Sequence, residues 1–88
     1  LGLARALEKG HPEAYLANSQ ALLEGLIYKK DPLEAFAYAR AAELLAARNH
    51  LILESLEYWK NAALQFLTEE QLRESEKRAL ALQTEDRG

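Results

Sequence analysis

Asp31-Pro32-Leu33-Glu34-Ala35-Phe36-Ala37-Tyr38-Ala39-Arg40-Ala41-Ala42-Glu43-Leu44-Leu45 is the stretch that decides how this chain folds. Its opening residues form a helix start. The Asp31 carboxylate can accept from the early amides, Glu34 can reach back, and Pro32 suits the first helical position because the donor it lacks would have gone unpaired there. Behind this cap, Leu33, Phe36, Ala37, Ala41 and Leu44 make one side of a helix. Ala35, Tyr38, Ala39, Ala42 and Leu45 make the other. The apolar arc is therefore wide, broken mainly by Arg40, Glu43 and Arg48, and a helix of that kind packs against neighbours on more than one side.

Upstream, Pro12 marks another helix start, running to about Tyr28 or Lys29. Tyr15, Asn18 or Ser19, Leu22 and Leu26 track one stripe of it, and Ala14, Ala17, Ala21 and Gly25 a low, smooth one. Gly25 inside a helix costs about 1 kcal/mol against alanine, which close approach of another backbone would offset. Before it, residues 1–10 read as the cut end of a preceding helix closed by Gly10 rather than as a signal peptide.

Downstream, the central helix extends to about Arg48 and breaks or bends at Asn49-His50. A further helix runs from Leu51 to Phe66, with Ile52, Leu56, Trp59, Ala63 and Phe66 at core spacing. Thr68-Glu69-Glu70-Gln71 is a second capping box. It opens a last helix to about Gln83, ahead of a polar tail over 84–88. That helix has a narrow stripe of Leu72, Ala79 and Leu82 backed by Leu80, and Glu69–Arg73 and Glu74–Arg78 at the spacing of helical ion pairs. Turns this short join antiparallel neighbours. The expectation is an all-α chain of about five helices, divided into residues 1–10, a hairpin over 11–48, a degenerate hairpin and cap over 49–83, and the tail.

A chain of 88 residues is one domain or a piece of one. Its apolar fraction of 49% rests on Leu and Ala, with few glycines and prolines to punctuate strands or long loops. Charges interrupt every apolar window before it reaches membrane-spanning length, so no direct membrane insertion is expected. Absence of cysteine excludes disulfides and thiolate chemistry, and fits a bacterial cytoplasm or periplasm equally. The net charge of −3 is uneven: residues 54–88 carry eight acids against five bases. The richest basic cluster, Arg73, Lys77 and Arg78, sits among glutamates, which argues against nucleic acid as a partner.

Several of these segments resemble the Sel1-like repeats, relatives of tetratricopeptide repeats. The matching residues are Gly10-His11 followed by Ala14, the turn into Lys30-Asp31-Pro32, and Glu34-Ala35-Phe36-Ala37-Tyr38-Ala39-Arg40-Ala41-Ala42. Leu67-Thr68-Glu69-Glu70-Gln71-Leu72 with a charged helix behind it looks like the terminal helix of such proteins. In place of the family's Gly-x-Gly turn stands Ile27-Tyr28-Lys29-Lys30, and its Gly-Asn junction after Ala42 is replaced by residues 43–50. The resemblance implies the C-terminal part of a right-handed solenoid of stacked antiparallel hairpins. It also implies an adaptor whose concave groove receives a peptide or helix of another protein.

Nothing in the chain reads as a catalytic or cofactor signature. His11 and His50 lack further ligands at metal-binding spacing. Ser19, Ser55 and Ser75 lack a linked His and Asp pattern. The pairs Glu69–Glu70 and Glu54–Glu57 fall in amphipathic helices, where exposure is the default. No enzyme, cofactor or metal is expected. The resemblance implies that Tyr15, Asn18 and Tyr28, on the first helix of the hairpin, line the groove with Arg40 as a neighbour, while Tyr58 lies off the core stripe of its own helix; these five are the candidate partner-binding residues, whose rings and amide could hold a peptide. An alternative is a structural helical domain that forms a homodimer through its open N-terminal end, where Leu1, Leu3, Ala4 and Leu7 would otherwise face water.

Overall fold

In the computed structural model, residues 12–25 and 29–87 are described, with side chains to residue 82. Four helices lie among them: α1 Pro12–Glu24, α2 Pro32–Arg48, α3 Leu56–Leu64 and α4 Glu69–Arg87. The expected leading helix over 1–10, the proposed dimer surface of Leu1, Leu3, Ala4 and Leu7, and His11 lie outside the described residues.

Local chemistry sets most of the helix ends. The Asp31 side chain accepts from the Glu34 amide at 3.2 Å with Pro32 just inside the helix, as the cap motif requires. At the start of α4 the capping box is complete: the Thr68 amide donates to Gln71 Oε1 at 3.0 Å, and the Gln71 amide donates to Thr68 Oγ1 at 3.2 Å. The α1 helix is shorter than expected. Gly25 is not interior but closes it, at φ +69° with its amide on the Ala21 carbonyl, the left-handed geometry that glycine adopts without strain.

The α2 helix ends in a Schellman motif without a glycine. The His50 amide donates to Ala47 O at 3.3 Å and the Leu51 amide to Ala46 O at 2.8 Å, while His50 takes the left-handed position at φ 57°. Ser55 is left-handed too, at φ 68°, and provides no side-chain cap for α3. These residues correct the expected helix over Leu51–Phe66. Residues 51–55 are not helical, so the 3.6-residue spacing that put Ile52 in the core does not operate, and Ile52 is 92% exposed. Phe66, also expected to pack, lies past the end of α3 and is 56% exposed, with Lys30 Nζ over its ring at 4.9 Å. Leu80 faces outward as well.

Burial covers most of the circumference of α2: Ala35, Ala37, Ala39, Ala41 and Ala42 are all fully enclosed, together with Phe36, Leu45 and Ala46, while Arg40, Glu43 and Leu44 stay half-buried. A helix with so wide an apolar arc belongs at the centre of a fold, and α1, α3 and α4 all pack on it. One core cluster joins Tyr15, Ala37, Ala41, Ala42, Leu45, Ala79 and Leu82; the other joins Leu22, Leu23, Ala35, Phe36 and Ala63. Tyr38 packs against both. Each large side chain so enclosed contributes about 1.5–3 kcal/mol.

Polar links follow the same plan. Ser19 Oγ donates to the Ala35 carbonyl, Lys60 Nζ meets Glu43 at 2.8 Å, and Ser75 Oγ donates to the Leu33 carbonyl at 2.7 Å. Arg78 Nε meets Glu34 at 3.0 Å. Each outer helix is thus fastened to α2 by at least one hydrogen bond as well as by apolar packing.

This architecture overturns the expected solenoid. The Sel1-like, tetratricopeptide-like reading required about five helices in antiparallel hairpins stacked one on the next, so that the molecule lengthens along one axis. Instead three helices share a single central partner in a four-helix bundle. The extents of 30 × 25 × 24 Å are nearly equal, and the radius of gyration of 11.8 Å matches the roughly 12 Å of a compact chain this long. The alanine arc on α2, which suited a stacked repeat, is used up by neighbours within the same bundle. Among the described residues no helix is long and apolar enough to cross a membrane.

Candidate functional site

Among the described residues, a groove lies between the outer edge of α1 and the segment that leads into α3. Its described lining is Glu13, Leu16, Ala17 and Gln20 from α1, then Ile52, Leu53, Glu54, Ser55 and Trp59. The volume is about 350 Å³, at the lower end of the ~300–1,000 Å³ usual for ligand pockets. That space suits one or two large side chains.

The local fold explains how the groove stays open. His50 closes α2 and Ser55 precedes α3, both in the left-handed region that costs a non-glycine residue about 1–2 kcal/mol. Leu53 between them and Leu56 at the start of α3 pack against the first core cluster and anchor the segment. Ile52 is left in solvent beside them. Trp59 is half-buried, packing on the second cluster while lining the groove, and Tyr58 meets its ring edge-on with centroids 5.0 Å apart. The lining mixes the apolar Leu16, Ala17, Ile52, Leu53 and Trp59 with the polar Gln20 and Ser55 and the acids Glu13 and Glu54.

The residues expected to bind a partner are scattered by this fold. Tyr15 is 2% exposed and its ring lies 5.8 Å from that of Tyr38, inside the seam between α1 and α2. Asn18 is buried on α1, with Oδ1 lacking a hydrogen-bond partner among the described residues. Neither offers a surface to a peptide in this conformation. Arg40 is half-buried and pairs with Glu43 on its own helix. Tyr58, 66% exposed, is the candidate that stands beside the groove. Tyr28 lies outside the described residues.

Arg40, Glu43, Lys60 and Glu57 form a charged chain from α2 to α3. Partial burial acts to raise the Glu43 pKa, but hydrogen bonds and charges from Lys60 and Arg40 outweigh it and hold the carboxyl below its ordinary value. Burial likewise acts to lower Lys60, and its bonds to Glu43 and Glu57 leave it raised. Both shifts favour the charged forms of Glu43 and Lys60, so this pair fastens α2 to α3. Among the described residues no cluster of three or more histidine or acidic side chains is placed to hold a metal.

Sequence reasoning missed Leu16, Ile52, Leu53 and Trp59 as site residues. One signal was present: Leu51-Ile52-Leu53 is a run of three large apolar residues right after a helix stop, and no single face can bury all of them. Fold and site together define a small all-α bundle built on a central helix, with a groove of mixed apolar and polar lining that includes two acids and, among the described residues, no base. Compared with known proteins, the chain matches no protein-family model, no curated protein and no solved structure.

Proposed function

We propose that this chain is a protein-interaction domain that does no chemistry of its own and holds a short segment of another protein in the groove between α1 and residues 52–59. The observation that carries this reading is a 92% exposed Ile52 at the edge of a hollow where Leu16, Ala17, Leu53 and Trp59 stand beside the polar Glu13, Gln20, Glu54 and Ser55. Exposed aliphatic and aromatic side chains clustered around a concavity are the usual anchor points of protein interfaces. Covering Ile52 alone would contribute about 1.5–3 kcal/mol to a complex. The binding surface in this reading is the outer edge of α1, not the inner face of an array.

Peptides selected from a displayed random library on the native protein test the idea. Those that bind the groove lose at least about tenfold in affinity on Ile52→Ser, from the loss of apolar contact. Selected peptides that bind native and variant protein equally, or a selection that enriches none, would remove the assignment.

A further inference from the structure

We infer that the occupant of the groove is basic: a short peptide segment that anchors one or two aliphatic or aromatic side chains on Leu16, Ile52 and Trp59 and sets lysine or arginine against Glu13 and Glu54. The inference rests on the proposed function and adds the chemistry of the partner. Among the described residues, two acids and no base line the groove, and the remaining polar lining, Gln20 and Ser55, is neutral. Neither Glu13 nor Glu54 makes an ion pair or side-chain hydrogen bond among the described residues, whereas Glu34, Glu43 and Glu57 are each engaged by a cation. The base next to Trp59 in sequence, Lys60, is committed to Glu43 and Glu57 at 2.8 and 3.3 Å and leaves the rim acids uncompensated. Two acids without a partner cation beside apolar side chains attract cationic segments and repel acidic ones.

Other occupants fit less well. A second copy docked about a two-fold axis would set the same groove against itself, Glu13 and Glu54 facing their own counterparts, and so bring like charge to the rim. Phosphate-bearing ligands meet the same repulsion. The backbone on either side is set by left-handed His50 and Ser55, a pair of strained residues that persists because the surrounding packing holds them. Ile52 is thereby held out before any partner arrives, and little ordering cost remains for binding.

Three fluorescent peptides of about ten residues, sharing the same pair of leucines but flanked by lysine, glutamine or glutamate, decide the matter by anisotropy titration. The lysine peptide is expected to bind native protein about tenfold more tightly than the glutamate peptide, from two exposed charge pairs. That preference falls to within about twofold in the Glu13→Gln, Glu54→Gln double variant and in roughly 0.5 M salt. Ile52→Ser weakens all three peptides. Equal binding of the three to native protein overturns the basic occupant and leaves the groove standing. Binding of all three that is insensitive to Ile52→Ser overturns the groove itself. A native protein that sediments as a dimer, that Ile52→Ser converts to monomer and that binds none of the peptides gives the site to a second copy and overturns the inference.

Discussion

Replacing Ile52 by serine separates the structure from its sequence pattern more sharply than any other single change. Read from helical spacing, Ile52 is a core residue. Its removal would then cost the 2–5 kcal/mol typical of truncating a buried isoleucine, with a further penalty of about 1–3 kcal/mol for enclosing an unsatisfied hydroxyl. In the folded chain the side chain is 92% exposed, so almost none of that burial exists to be lost, and the expected change is within about 0.5 kcal/mol. For a domain of this length 1 kcal/mol moves Tm by roughly 4–8 °C. The structure therefore predicts a shift under about 4 °C, and a core position a loss of at least about 12 °C. Thermal and urea unfolding followed by far-UV circular dichroism measure this directly. Leu45→Ala, at a position only 7% exposed, serves as the buried control with a loss of about 2–5 kcal/mol. A large drop for Ile52→Ser would refute the path of residues 51–55 and with it the open groove.

The left-handed positions make a paired prediction. Gly25→Ala should destabilise by about 1–2 kcal/mol, since the new Cβ meets Lys30 Cβ at 3.2 Å on a backbone at φ +69°. His50→Gly should gain about 0.5–1 kcal/mol by relieving the same strain at the end of α2; chemical denaturation of both variants checks the signs. For the charged network, Glu43 has a folded pKa below its ordinary 4.5, so its contribution is present above that value and fades as pH falls through the lowered one. Lys60 is raised above 10.5, so its contribution is present below that value and is lost as pH rises through the raised one. Glu43→Gln should cost about 1 kcal/mol at neutral pH, with the gap to the native protein closing below about pH 4 in a series of urea melts; a gap that stays constant into acid contradicts the assigned pairing.

Particular residues show how far the sequence carries. The starts of α2 and α4 were readable because each cap is a bond between residues three apart, formed whatever the rest of the chain does. Half of the first box was nonetheless redirected: Glu34 is engaged by Arg78, 44 residues away. The stop at Asn49-His50 was visible as a weakness in the pattern, but the left-handed turns at His50 and Ser55 were not, since neither glycine nor proline announces them. Of the groove, sequence reading reached Tyr58 at its edge and missed the floor, because Leu16 and Trp59 come from helices whose mutual placement no local rule determines.

By itself the sequence determined the capped starts of α2 and α4 and the many-sided apolar surface of residues 32–48, since these depend on contacts within one or two turns. Only tertiary structure decided that α1, α3 and α4 converge on that surface instead of passing it on to a next repeat, and that Tyr15 and Asn18 are buried while Ile52 is not. The physical reason is that apolar burial has no direction: an alanine-lined helix is covered as well by helices of its own bundle as by a stacked neighbour. The choice lies in the summed packing of residues dozens of positions apart, which the order of amino acids implies but no segment of it displays.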